Sequence, residues 1–336
     1  MNATDSASLT DHVTSFELGA HVTGACFLGE TLAYALGDGR IVLRCGDQAS
    51  EITPHDGAVQ VFVSDSKVLF TGGDDGQVVR TDASGATQSV LLEKGKWIDA
   101  LALSPAGALA WSAGKQVKVR EKAGDIKEIT APSSVRGLAF APKGYRLAYA
   151  HNGGASLWFP NATAPPEFLE WKGSHLGVTF SPDGRFLVTS MQENALHGWK
   201  LADKAHMRMS GYPAKVRSLS WSHDGKWLAS SGADACIVWP FADKDGPMNK
   251  APRECGVRRA RVSAVNCHPK ALVISVGYDD GCILLCRLVD GAELLVRRAS
   301  ALAGPITALA WDQVGGRLAF GTSAGSAGWL DLPRID

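Results

Sequence analysis

This sequence of 336 residues predicts an all-β fold, a β-propeller of four-stranded blades. Three observations predict it. Short alternating strands recur about every 40 residues, Gly- and Asp-containing turns separate them, and no segment sustains a helical period. A four-stranded unit cannot bury both faces alone, so neighbouring units must stack, and radial stacking gives a propeller.

The repeat is plainest in VTFSPDGRFLVTSMQENALHGWKL (178–201) and VRSLSWSHDGKWLASSGADACIVWPF (216–241), which agree at the turn, at the Leu-Val/Ala-Ser stretch and at Trp199 and Trp239. First strands begin near Val22, Val59, Ile98, Val135, Leu176, Val216, Val262 and Ile306, at spacings of 37 to 46 residues. Eight blades follow, with seven as the alternative if one degenerate unit is irregular.

Taken in order, residues 1–11 are polar and read as a disordered tail, without the basic segment and apolar core of a signal peptide. Residues 12–332 form a single propeller domain. Within each unit the strands alternate, as where Val216, Ser218 and Ser220 oppose Leu219 and Trp221. Asp75-Gly76, Asp183-Gly184, Asp224-Gly225 and Asp280-Gly281 suit tight reversals that need positive φ. The last unit supplies three strands, ITALAW, RLAFGT and AGWLDL, before the sequence ends. VTSFELG (13–19) can provide the fourth, so strands from the two ends share one blade and remove an exposed sheet edge.

These units resemble WD40 repeats over residues 12–332. The Trp-Asp dipeptide of that family is replaced by Trp199-Lys200 and Trp239-Pro240, and Thr81 and Cys286 fill the Trp slot in units two and seven. The family's His–Asp–Ser/Thr–Trp tetrad is nowhere complete. His55 and Asp74 match it in unit two, and Asp234 and Trp239 in unit six, where Tyr212 stands for the His. Core burial is therefore expected to hold the blades more than the tetrad does. The resemblance implies a non-catalytic scaffold for protein–protein interaction, cytoplasmic and monomeric, and it associates proteins of this look with a zinc-handling GTPase as partner.

Composition narrows the remaining classes. The 34 Lys and Arg balance the 34 Asp and Glu, which argues against a global electrostatic footprint for nucleic acid or anionic membrane. No apolar run approaches the ~20 residues of a membrane-spanning helix. Seven cysteines, an odd number without a secretory signal, read as reduced thiols. On a strand, the sulfurs of Cys282 and Cys286 start roughly 13 Å apart. Zinc ligands lie about 2.3 Å from the metal, so this pair alone makes no site, and both read as core residues.

Catalytic motifs are weak. Gly321-Thr322-Ser323-Ala324-Gly325 matches a nucleophile elbow but falls between two predicted strands, where the motif has no strand-to-helix turn to work on. His21, His55 and His175 precede first strands as structural His residues do in WD40-like repeats. Asp74-Asp75-Gly76 and Asp279-Asp280-Gly281 lack the further ligands of a calcium loop. No cofactor or metal is expected. An enzyme with a site in the central channel is the alternative class.

One charge cluster stands out. Arg253, Arg258, Arg259 and Arg261 face only Glu254, and Arg297 and Arg298 occupy the matching place one unit later. Both groups fall after a third strand, and adjacent blades should bring them together on the rim. The plain reading is a solvated edge guarded by charge. The functional reading is a patch for an acidic protein, RNA or a phosphate group.

Overall fold

Antiparallel strands build every sheet of the computed structural model, which describes residues 8–121 and 124–333. No helix among the described residues is long and apolar enough to cross a membrane. The chain divides into two compact units, Met1–Ile52 with Arg217–Asp336, and Thr53–Val216. Of the tail expected over residues 1–11, residues 1–7 lie outside the described residues. Ser8 bridges Leu295, and Thr10–His12 form one turn of 3-10 helix.

The first unit holds four blades. One contains Val22–Leu28, Thr31–Leu36, Ile41–Cys45 and Gln48–Ile52. The next two contain Leu219–Trp221, Trp227–Ser230, Cys236–Pro240 and Arg253–Cys255, then Val262–Cys267, Val273–Tyr278, Ile283–Arg287 and Glu293–Arg297. The fourth joins both ends of the chain. Val13–Glu17 pairs antiparallel with Ser326–Asp331, outside Arg317–Thr322 and Ile306–Trp311. The expected shared-terminus blade is therefore present, in the register Val13 to Leu330 and Glu17 to Ser326.

Burial follows strand position. Thr31–Leu36 is buried at every residue, because a second strand carries a neighbouring strand on each side and packs on the last blade of the unit. The outer Gln48–Ile52 is almost wholly exposed. Innermost strands carry β-bulges: the register slips between Val262 and Ala264, and between Ile306 and Ala308. A bulge re-aims the extra residue. Ser263 thereby donates its hydroxyl to Ile306 O at 2.8 Å, and Thr307 donates to Val22 O at 2.6 Å. Ser218 donates to Val265 O at 3.2 Å, so these hydroxyls link one blade of the unit to the next.

The second unit holds three sheets. Two have four strands each, Val59–Ser64, Val68–Gly73, Gln77–Asp82 and Thr87–Leu92, then Ala100–Leu103, Leu109–Ala113, Gln116–Arg120 and Ile126–Thr130. The third has six, Gly137–Phe140, Leu147–Trp158, Glu167–Phe180, Phe186–Met191, Leu196–Lys200 and His206–Met209.

That third sheet corrects the expected count of eight four-stranded blades. The described residues form seven sheets, because repeat units four and five join into one. Leu147–Trp158 pairs with Gly137–Phe140 through its first half and with Glu167–Phe180 through its second, with Gly153 and Gly154 at φ 89° and 150° between. Glu167–Phe180 likewise serves both units, passing from that partner to Phe186–Met191. Gly153, Gly154 and Gly173 tolerate these conformations, so pairing runs through where a loop was expected.

The tetrad is corrected in one position. His55 Nδ1 lies 3.1 Å from Asp75 Oδ2, not from Asp74, and His55 Nε2 lies 2.9 Å from Thr71 Oγ1. Thr81, in the Trp slot, is buried with its hydroxyl unpaired. Asp75 also accepts from the backbone N–H groups of Asp56 and Gln77, which accounts for this Asp-Asp-Gly turn without a cation. His175 repeats the theme with Thr189 at 2.7 Å, beside the buried Trp199. Trp239 is buried, opposite Leu228.

Candidate functional site

The six arginines lie on two connections, each running from the outer strand of one blade to the inner strand of the next. Arg253 starts the outer strand Arg253–Cys255, and Arg258, Arg259 and Arg261 follow it before Val262. Arg297 ends the outer strand Glu293–Arg297, and Arg298 follows. Outer strands end where the chain must cross to the next blade, so a charged run there stays hydrated.

Three of these side chains are engaged within the fold. Arg253 donates to Leu288 O at 3.0 Å and lies over the Trp227 ring, 4.4 Å from its centroid. Arg258 donates to Asp280 Oδ2 at 2.9 Å and covers Tyr278. Arg297 donates to Gly281 O at 2.5 Å and covers Phe320. Burial lowers the pKa of Arg297 from the usual guanidinium value. These arginines, Arg258 and Arg297 half-buried and Arg253 exposed, clamp adjacent blades by hydrogen bonds and cation–π contacts.

The other three, Arg259, Arg261 and Arg298, are exposed, and none makes an ion pair among the described residues. The two connections meet at one turn. The Arg261 backbone N–H donates to Asp279 Oδ1 at 3.1 Å, and Ser300 N–H donates to Asp280 O at 2.9 Å. The carboxylates of Asp279-Asp280-Gly281 are thus committed to Arg258 and to backbone N–H groups. Two apolar side chains share the connections, Val257 at 63% and Leu302 at 90% exposure.

The sequence treats the six arginines alike, whereas the fold divides them. The signal was present: His55 precedes its carboxylate partner by 20 residues, and Arg258 precedes Asp280 by 22. Arg258 occupies the His slot of its blade.

Ser323 lies in the turn between Arg317–Thr322 and Ser326–Asp331, its N–H bonded to Pro305 O. Among the described residues, no three His, Cys, Asp or Glu side chains are placed to hold a metal ion. A cavity of about 310 Å³ between the last two blades of the first unit is lined mainly by Val273, Leu285, Leu294, Trp311 and Leu332. Its one imidazole, His268, is bonded to Gly315 O and to the N–H groups of Lys270 and Ala271.

Antiparallel sheets of four strands, with one of six and one shared by the two ends of the chain, are the blades of a β-propeller. Comparison with known proteins gives the kind. The WD domain, G-beta repeat model matches residues 204–239, a stretch that lies within this β-propeller, so the chain is similar there to WD40-repeat proteins. It is 35% identical over 80 residues to WD repeat-containing protein 1-B of Xenopus laevis, covering 23% of this chain and 13% of that protein. It is 23% identical over 272 residues to Periodic tryptophan protein 2 of Saccharomyces cerevisiae, covering 69% of this chain and 29% of that one. The chain thus spans less than a third of the length of these relatives. Among solved structures, the computationally designed Ika8 protein superposes with a TM-score of 0.77 at 17% identity, over 94% of this chain and 98% of that one. That likeness is one of fold.

Proposed function

We propose that residues 12–332 act as one non-catalytic propeller that binds other proteins, through a face containing Arg259, Arg261 and Arg298. The observation that carries this reading is the mixed character of the two connections. Exposed guanidinium groups share these connections with the exposed apolar Val257 and Leu302. Arginine flanked by apolar side chains is the composition of protein interfaces, where partly desolvated anchors supply most of the energy. A nucleic-acid site would instead need a run of cations following the phosphates. The partner accordingly presents carboxylates around an apolar patch. A cytoplasmic monomer suits this role, and the zinc-handling GTPase implied by the resemblance belongs to the class of partner tested.

The test is affinity purification from the source cell with the wild-type chain and with Arg259→Ala/Arg261→Ala/Arg298→Ala. A stoichiometric protein partner retained by the wild type and lost by the folded variant is expected. Equal recovery by both overturns the face. Tight, salt-sensitive binding of single-stranded RNA by the wild type favours the nucleic-acid alternative instead.

A further inference from the structure

Five of the seven cysteines gather in one apolar cluster: Cys236, Cys255, Cys267, Cys282 and Cys286, packed with Tyr278, Val276 and Ile274. They come from two adjacent blades of the first unit, and within the cluster three thiols meet. Cys236 and Cys255 are direct partners across antiparallel strands. Opposed residues in such a pair share a face, with Cα atoms about 4.5–5.5 Å apart. That separation lies inside the ~4.4–6.8 Å that a disulfide spans. The Cys255 sulfur is 3.9 Å from Cys236 O. The third thiol, Cys286, belongs to the next blade, and its sulfur lies 3.3 Å from where a Cβ on Gly256 would sit.

The three differ in access. Cys236 and Cys286 are fully buried, whereas Cys255 retains 8% exposure. It ends an outer strand only three residues long, Arg253–Cys255, whose first two residues are exposed. Opening a short edge strand requires far less than global unfolding. The neighbouring thiols of Cys236 and Cys286 also draw the Cys255 pKa below the usual thiol value, while Cys255 and burial push those of Cys236 and Cys286 up. Thiolate character and access together select which cysteine reacts.

We propose that Cys255 is a peroxide-reactive cysteine and that Cys236 resolves it into a disulfide within the blade. In the first step the Cys255 thiolate attacks one oxygen of hydrogen peroxide. The S–O bond forms, the O–O bond breaks, and the departing hydroxide takes up a proton to become water. Cys255 is then a sulfenic acid. The Cys236 thiol attacks that sulfur and gives up its proton to the departing hydroxide; the S–S bond forms, the S–O bond breaks, and a second water leaves. Two thiols are oxidised by two electrons and one peroxide is reduced to two waters.

The experiment treats the purified full-length chain with one equivalent of hydrogen peroxide, alkylates it after denaturation, and maps the peptides by mass spectrometry. Expected is a Cys236–Cys255 linked peptide pair that thiol reductant reverses, with two of the seven cysteines protected from alkylation. In Cys236→Ser, a dimedone adduct should accumulate on Cys255. A link between Cys255 and Cys286 overturns the choice of resolving thiol. First oxidation at the exposed Cys45, or stoichiometric zinc in the untreated protein, overturns the proposal altogether. Because the wild-type peptide map decides between these outcomes, a variant that fails to fold leaves the test intact.

Discussion

The hydroxyl of Thr307 donates a 2.6 Å hydrogen bond to the carbonyl of Val22, tying the last blade of the chain to the first across 285 residues of sequence. The bulge at Thr307 makes this possible, because the residue that falls out of register turns its side chain toward the neighbouring strand. Thr307→Val keeps the volume and removes the donor. We expect a loss of about 1–2 kcal/mol in urea unfolding, since Val22 O is left without that partner. A shift indistinguishable from zero would show that the bridge contributes nothing.

Closure by Val13–Glu17 supports a second prediction. Deleting residues 1–20 removes the strand paired with Ser326–Asp331 and exposes the backbone of that strand as an edge. Phe16 is also lost from its T-shaped contact with Tyr34, 5.7 Å between centroids. The truncated chain should aggregate or melt at a markedly lower temperature. An unchanged melting curve contradicts the pairing.

Trp239 is 8% exposed and lies opposite Leu228, which is fully buried. Trp239→Ala should cost about 3–5 kcal/mol in denaturant unfolding, the usual range for emptying a buried aromatic site. A change below roughly 1 kcal/mol would place the ring on a surface instead.

His197 is fully buried, stacked 3.9 Å from Trp171, and both of its ring nitrogens lack a hydrogen-bond partner. Burial first, and then the nearby His175, His206 and Arg208, lower its pKa to about 3 from 6.5. The folded state therefore binds fewer protons than the unfolded chain between those values. Stability from this site is complete above pH 6.5 and is lost as pH falls toward 3. Burial lowers His151 and His175 as well, in the same direction. His197→Phe, which keeps a ring against Trp171, should flatten the loss of stability between pH 7 and 4 when unfolding is followed at several pH values. An equally steep profile in the variant assigns the acid sensitivity elsewhere.

Local pattern carried the fold a long way. Alternation of apolar and polar residues, Asp-Gly turns and the recurrence of both were enough to place the strands from Val22 to Asp331, because each depends on residues within a few positions of one another. The terminal pairing was legible for a related reason: a unit short of one strand and an unassigned strand at the other end leave little else for either to do. The same logic overcounted the blades. Nothing in the local pattern distinguishes a turn that ends a sheet from Gly173, where pairing continues from one unit into the next.

What tertiary structure alone decided was the use of side chains. Arg258 and Arg259 are neighbours in sequence, yet one is bonded to Asp280 and the other faces solvent, a division set by where Asp280 of the next blade lies. Cys236, Cys255 and Cys286 are up to 50 residues apart; strand pairing sets the first two opposite each other, and the packing of the next blade adds Cys286 to the same cluster. Sequence sets the period and the local turn. The hydrogen bonds between blades depend on register and bulge across distant strands, which no local pattern encodes.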